Sequence, residues 1–223
     1  MLYIVPTPIG NLEDFTFRSL RTLKEVDLIL VESYRVSKKL LDFYKIKNNI
    51  NKYHIYNEHK IIPSIIKKIK EGKKLALISN AGTPSISDPG FLLIKSCINA
   101  RIPIECLPGP TAFIPALVCS GIPTHEFIFI GFLPKRKRKM KLENLSKENR
   151  TIILYESPHR LLQTLNDIKS FFGSKRNIVI CKEISKYFQN ILRGNIEKII
   201  IHYQNIKKIL GEYTIIIDKN LEK

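Results

Sequence analysis

Ser79-Asn80-Ala81-Gly82-Thr83-Pro84-Ser85-Ile86-Ser87-Asp88-Pro89-Gly90 is the stretch whose reading decides the fold. It follows Lys74-Leu75-Ala76-Leu77-Ile78, an apolar run of strand length, and precedes Phe91-Leu92-Leu93-Ile94, which opens a helix. It is therefore a long strand-to-helix turn. In an open α/β sheet such turns lie at the carboxyl ends of strands, where ligands bind. Gly82 lets the backbone approach a ligand closely, Thr83 and Ser85 offer hydroxyls, and Pro84 stiffens the turn. Ser87 or Asp88 can cap the next helix, with Pro89 at its first position. An ordinary capped turn would read the same way, so the rest of the chain must decide.

Moving outward, short apolar strands alternate with helical periodicity. Leu2–Val5 reads as a strand, and Pro6-Thr7-Pro8-Ile9-Gly10-Asn11-Leu12 as a rigid loop. Helix is expected over Phe15–Val26, strand over Asp27–Val31, and helix over Val36–Phe43. His54–Asn57 is expected as a third strand, and Pro63 in the first turn of a helix that Gly72 ends. After the central loop come a helix to Ala100, a strand Ile102–Cys106, the turn Leu107-Pro108-Gly109-Pro110-Thr111 and a helix Ala112–Cys119. This alternation predicts an α/β fold with a parallel sheet. Ser120-Gly121-Ile122-Pro123-Thr124 reads as a linker. Beyond it the pattern restarts, with strands at Phe127–Gly131, Thr151–Tyr155, Asn177–Cys181 and Tyr213–Ile217 and helices at Leu161–Phe172 and Ile196–Tyr203. The expected organisation is two α/β domains: 1–119 with a parallel sheet, and 120–223 with a mixed one.

The 223 residues carry 37 Lys and Arg against 20 Asp and Glu, a net charge of +17. The excess is spread over both halves, with 17 basic and 10 acidic residues up to Cys119 and 20 and 10 beyond it. A polyanion such as nucleic acid is one explanation. Drift toward Lys, Ile and Asn in an AT-biased coding sequence is the other. Cys97, Cys106, Cys119 and Cys181 form no C-x-x-C pair, and the five histidines show no metal-ligand spacing. The cysteines read as small buried hydrophobes in a reduced compartment, and no metal site is expected. With neither a leader nor a membrane span at the N-terminus, a soluble cytoplasmic protein is expected.

Several chemistries lack their motifs. No G-x-G-x-x-G follows the first strand, no G-x-x-x-x-G-K-[ST] is present, and no G-x-S-x-G marks a hydrolase elbow. The candidate ligand loops are rich in Pro and Gly instead: 6–12, 79–90, 107–111, 129–134 and 211–212. They suit a neutral or zwitterionic adenosyl ligand better than a triphosphate.

Taken in order, V-P-T-P-I-G-N-L, S-N-A-G-T-P-S-I-S-D-P-G, L-P-G-P-T-A, G-F-L-P, Y-E-S-P-H-R and E-I-S-K resemble one family over Leu2–Asp218. The chain is similar to the bacterial small-subunit ribosomal RNA (cytidine-2′-O)-methyltransferases, within the tetrapyrrole-methylase-like class of S-adenosylmethionine enzymes. The resemblance implies a two-domain α/β fold with the methyl donor in the cleft between the domains, and a homodimer without membrane attachment. It implies as target a cytidine ribose near the ribosomal decoding centre. Three departures stand out: Ser33-Tyr34-Arg35 where the family has Asp-Thr-Arg, Asn80 where it has Asp, and Gln189 where it has Glu. Asn and Gln keep the shape of the acids but lose their charge and base capacity.

On that resemblance Pro8, Gly10, Asn80, Ala81, Gly82, Thr83, Pro84, Pro108, Gly109, Pro110, Tyr155 and Glu212 are the expected donor contacts. Methyl transfer needs in-line approach of the ribose oxygen to the methyl carbon, helped by a base. The candidate acid/base residues are Glu183, Lys186 and Glu156, with Glu32 beside them. Lys186 is expected to serve as base only if its pKa is lowered. Arg35, Arg160 and the run Lys135, Arg136, Lys137, Arg138, Lys139 and Lys141 are expected to grip RNA phosphates. His159 reads more readily as a hydrogen-bonded loop residue than as a base. Two rival readings stay open: a small-molecule methylase with a tetrapyrrole-like substrate, and a non-catalytic ribosome-binding factor.

Overall fold

The structure is a computed structural model, described here over residues 1–219. Two compact units divide between Thr111 and Ala112. The sequence-based boundary followed Cys119; the difference is the helix Phe113–Ser120, which packs on the second sheet rather than the first.

The first unit holds strands β1 (Leu2–Ile4), β2 (Leu28–Val31), β3 (Ile50–Lys52), β4 (Leu75–Ile78) and β5 (Ile104–Cys106). All pair in parallel, in the order β3-β2-β4-β1-β5. Helices α1 (Phe17–Glu25), α2 (Tyr34–Phe43), α3 (Glu58–Lys70) and α4 (Phe91–Asn99) cover it. Parallel sheets are buried on both faces, so their strands read as continuous apolar runs. Leu75 and Leu77 face one core with Ile65 of α3 and Leu93 of α4. Ala76 and Ile78 face the other with Leu23 of α1 and Leu40 of α2. The chain thus leaves β1 toward one face and β4 toward the other. Such a divergence between neighbouring strands opens a crevice at their carboxyl ends.

Two expectations for this unit change. His54–Asn57 is a turn rather than a strand: Asn57 Oδ1 accepts from the His54 N–H at 2.9 Å, and the backbone closes from Asn57 N–H to His54 O. The third strand is Ile50–Lys52, a half-exposed edge with little apolar signal. Pro63 lies inside α3 rather than in its first turn, because the helix begins earlier, at Glu58. Of the cysteines, Cys97 and Cys181 are buried, and burial pushes their thiols up to about 11 and about 12. Cys106 and Cys119 are exposed, contrary to the expectation of burial.

The second unit opens with α5 (Phe113–Ser120), followed by β6 (Phe127–Phe132), α6 (Arg138–Ser146), β7 (Thr151–Glu156), α7 (Leu161–Phe172), β8 (Asn177–Lys182), β9 (Asn190–Asn195), α8 (Ile196–Gln204) and β10 (Tyr213–Ile217). The sheet order is β6-β7-β10-β8-β9, with β6 and β7 parallel and the remaining pairs antiparallel. Ile152, Leu154, Ile178, Ile180, Ile215 and Ile217 turn one face toward α7 and α8. Cys181 sits on the other face, its Sγ 3.8 Å from Ala116 O of α5.

Helix α6 was not expected, since its first turn falls in the basic run. Arg138 is the reason it docks. Its side chain is 9% exposed, pairs with Asp167 at 2.9 Å, and donates to Thr164 Oγ1 at 2.8 Å. Thr164 in turn donates to the buried Glu156 carboxylate at 2.5 Å. A charge so enclosed is costly unless its partners remain in place. Arg138→Ala is therefore expected to lower unfolding free energy by about 3 kcal/mol, whereas Lys135→Ala should change it by less than about 0.5 kcal/mol. Urea unfolding of the two variants checks this; equal midpoints would refute the buried role of Arg138.

Candidate functional site

At the carboxyl end of the first sheet three loops are tied together by backbone. Thr7 N–H donates to Gly82 O and Gly82 N–H to Thr7 O, both at 2.9 Å, an isolated antiparallel bridge between the loops after β1 and β4. Thr7 Oγ1 donates to Ser79 O at 3.2 Å, and Ser79 Oγ to Gly82 O at 2.9 Å. The loop after β5 joins through Thr83, whose hydroxyl donates to Pro110 O at 3.0 Å and lies 2.6 Å from Thr111 Oγ1. Gly109 completes the packing. A Cβ there would stand 2.5 Å from Pro6 Cβ, so only glycine lets these two loops meet.

These ties bring Pro8, Gly10, Asn80, Ala81, Gly82, Thr83, Pro84, Pro108, Gly109 and Pro110 to one end of one sheet. Beside them, at the end of β2, Glu32 accepts from Asn80 Nδ2 at 2.7 Å. A hollow of about 140 Å³ adjoins the same place, lined by Thr7, Pro8, Gly10, Ser37, Leu40 and Asn80 among others. Thr7, Ser37 and Ser79 were missed in the sequence. Ser37 had a readable signal: it shares the buried stripe of α2 with Leu40 and Leu41, an unusual place for a hydroxyl.

The second unit also gathers its candidates at one sheet end. Register places Glu156, Tyr213 and Lys182 side by side, so the β7 exit, the β8 exit and the β10 entry are neighbours. Lys186 Nζ bridges Glu183 Oε1 at 2.9 Å and Glu212 Oε2 at 2.8 Å. Glu183 Oε1 also accepts from the Glu212 N–H at 2.8 Å. Gly211 makes room, since a Cβ there would meet Glu183 Cγ at 2.8 Å. Partial burial works to lower the Lys186 pKa, but the Glu212 and Glu183 carboxylates outweigh it and raise it. Burial works to raise Glu183, and its bonds to Lys186 and Glu212 hold it below the usual range. The lowered pKa that Lys186 would need as a base is not found: the ammonium is the favoured form, and Glu183 is a poor base. Gln189 Oε1 accepts from the Ser185 N–H at 2.7 Å, a task the amide performs as well as an acid would.

Two further assignments are corrected by burial. Glu156 is 2% exposed, and its oxygens are taken by the Thr164 hydroxyl, the Ser157 N–H at 2.8 Å and the Arg160 guanidinium at 3.6 Å. It is a structural acceptor, not an acid or base. Arg138 is enclosed as described, and Arg160 spends its guanidinium on Leu133 O at 2.9 Å and on Glu156. Arg138 is thus not presented to an RNA phosphate, whereas Arg160 keeps 23% of its side chain exposed. Lys135, Arg136, Lys137 and Lys139 are exposed, Lys141 is half-exposed, and Arg35 is exposed on α2. Tyr155 OH accepts from the Phe113 N–H at 3.2 Å, and its ring lies among Phe129 and Phe132. Glu212 is exposed apart from its bond to Lys186. His159 is exposed as well. Among the described residues no group of three or more His, Cys, Asp or Glu could hold a metal ion. No helix of the described residues is long and apolar enough to cross a membrane.

Comparison with known proteins agrees with this architecture. A protein named ribosomal RNA small subunit methyltransferase I from Thermotoga maritima is 46% identical over 217 residues, covering 97% of each chain. The protein of the same name from Halalkalibacterium halodurans is 44% identical over 224 residues, covering 100% of this chain and 77% of its own. Among solved structures, uroporphyrin-III C-methyltransferase from Thermus thermophilus, complexed with S-adenosylhomocysteine, superposes with a TM-score of 0.66. That match is 15% identical and covers 96% of both chains, so it shows the shared fold. Residues 1–200 match the model of the tetrapyrrole (corrin/porphyrin) methylases. With its five-stranded parallel sheet, its mixed second sheet and this match, the chain belongs to the tetrapyrrole methylase family.

Proposed function

We propose that the protein is an S-adenosylmethionine-dependent methyltransferase that modifies the 2′-oxygen of a cytidine ribose in small-subunit ribosomal RNA. The observation that carries this reading is the 46% identity, over 97% of both chains, to a ribosomal RNA small subunit methyltransferase. The donor class is supported by the fold neighbour solved with S-adenosylhomocysteine. Ala81–Pro84 and Pro108–Pro110 are the donor-binding segments of this proposal, because they offer backbone groups held by the Thr7–Gly82 bridge and by the Thr83–Pro110 bond. The sulfonium supplies an activated methyl group, so most of the rate can come from aligning the ribose oxygen with the methyl carbon. The tied loops provide such a rigid frame. A tetrapyrrole-like substrate gains no support from the exposed cations after β6, which a small molecule does not require.

The decisive experiment compares small-subunit ribosomal RNA from cells with and without the gene by mass mapping. Loss of one methyl group on one cytidine ribose is expected. Identical maps would sink the reading.

The proposal extends to a homodimer working in the cytoplasm, as the resemblance implies and as is commonest among symmetric oligomers. Sedimentation at micromolar protein should give twice the 25.8 kDa chain mass; a monomer alone would remove this part.

The exposed cations Lys135, Arg136, Lys137 and Lys139 are proposed to hold RNA phosphates. About four such contacts give a salt slope that falls by roughly 3 to 4 when the four are changed to Ser. Donor affinity should stay the same. Equal slopes for variant and parent would mark the run as a merely solvated surface.

A further inference from the structure

The hollow beside Asn80 is lined by two residues that each have a buried polar atom without a partner among the described residues. Ser37 is 3% exposed and its Oγ has no partner among the described residues; Asn80 Oδ1 is likewise buried and unpartnered. Leaving two such atoms unsatisfied costs stability, so each calls for a ligand or ordered water. Both residues line the same hollow. Its remaining walls are mostly apolar, from Pro8, Leu12, Val36, Leu40 and Ile78. Its volume of about 140 Å³ is close to that of a cavity that takes one benzene-sized ring, about 150 Å³. A single six-membered ring with polar edges fits this description.

The direction in which Asn80 points decides which ring. Glu32 Oε2 receives the Asn80 amide nitrogen at 2.7 Å. A carboxylate has no hydrogen to give, so the amide must turn its NH₂ toward Glu32 and its carbonyl oxygen away. The atom left without a partner is therefore an acceptor. Cytosine carries an exocyclic amine, a donor, at the position where uracil carries a carbonyl oxygen, an acceptor. The Ser37 hydroxyl can serve either sense and adds an edge contact without choosing between the two.

We propose that this hollow receives the base of the target nucleotide, swung out of its helix, and that Glu32 makes it selective for cytosine by fixing the Asn80 carboxamide. Glu32 is a positioning residue in this scheme; Asn80 and Ser37 touch the base. Enzymes that act on an internal nucleotide commonly extrude it into a pocket that reads its pairing edge. Asn at position 80, where the family has an acid, is then no sign of lost chemistry: the acceptor oxygen survives, and the pair with Glu32 avoids two facing carboxylates.

This inference rests on the methylation reading above, and its test separates the two. Methyl transfer from labelled S-adenosylmethionine is measured on small subunits reconstituted with RNA carrying either cytidine or uridine at the mapped position. The parent protein should favour cytidine by about tenfold or more, the cost of facing one buried acceptor with another. Glu32→Gln should bring the cytidine-to-uridine ratio close to one by raising transfer to uridine, because a Gln partner lets the Asn80 amide turn over. Asn80→Ala should also abolish the preference, and Ser37→Val, which fills the hollow, should raise the KM for RNA. A structural lesion cannot produce the Glu32→Gln gain on uridine. Calorimetry with the donor alone should give equal affinities for the parent, Glu32→Gln and Ser37→Val proteins. A parent protein indifferent to the base, or an unchanged ratio in both Glu32→Gln and Asn80→Ala, overturns the pocket assignment while methylation stands. A parent protein inert on cytidine-bearing subunits overturns the methylation reading, and this assignment with it.

Discussion

Two backbone hydrogen bonds of 2.9 Å between Thr7 and Gly82 are the constraint on which the first unit's site depends. Net, each is worth only about 1 kcal/mol, but their effect is geometric. They join loops that leave β1 and β4 toward opposite faces of the sheet, at the point where the topology would otherwise hold them apart. Thr83 and the close approach of Gly109 to Pro6 then fix the third loop to the first two. The result is a rigid rim of backbone groups on a parallel sheet. Such a rim suits a reaction that needs alignment more than acid or base strength.

The second unit solves a different problem with charge. Lys186 holds Glu183 and Glu212 together at the sheet end, and its bond to Glu183 makes the Lys more firmly cationic and Glu183 less basic. Deeper in, Glu156, Thr164, Arg138 and Asp167 form one chain of donors and acceptors that anchors α6. Ionisable residues therefore divide into those that build the sheet end and those left exposed to meet a partner. The exposed cations after β6 and Arg35 belong to the second group.

Most of the fold was legible because its strands are continuous apolar runs, the signature of burial on both faces. Leu2–Ile4, Leu28–Val31 and Leu75–Ile78 were all readable in this way, as were the Pro- and Gly-rich turns after them. What escaped lay where that signal is absent. Strand β3 has one apolar residue in three, and β9, Asn190–Asn195, is a polar edge. Helix α6 hides its buried stripe, Leu142 and Leu145, behind a basic start. Within the site, sequence alone could find the glycines and prolines of the loops. It could not tell that Glu156 and Arg138 face inward, since a charge in a buried network and a charge on a surface are spelled alike. Nor could it place Ser37 beside Asn80, which lie on separate elements and meet only through the sheet order.

That order also governs when the site can exist. Strand β4 lies between β2 and β1, so neither inner edge has its neighbour until residue 78 has been made. A chain emerging at roughly 5 to 20 residues per second carries its first strand unpaired on that side for several seconds. The loop that starts with Thr7 waits equally long for Gly82. Until then the amino-terminal segment is a set of apolar strands and helices with half their sheet missing, the kind of intermediate that chaperones hold. The arrival of a single four-residue strand then joins β2 to β1 and brings the first two loops together, and the rim is completed only when β5 and the loop bearing Gly109 and Pro110 have followed.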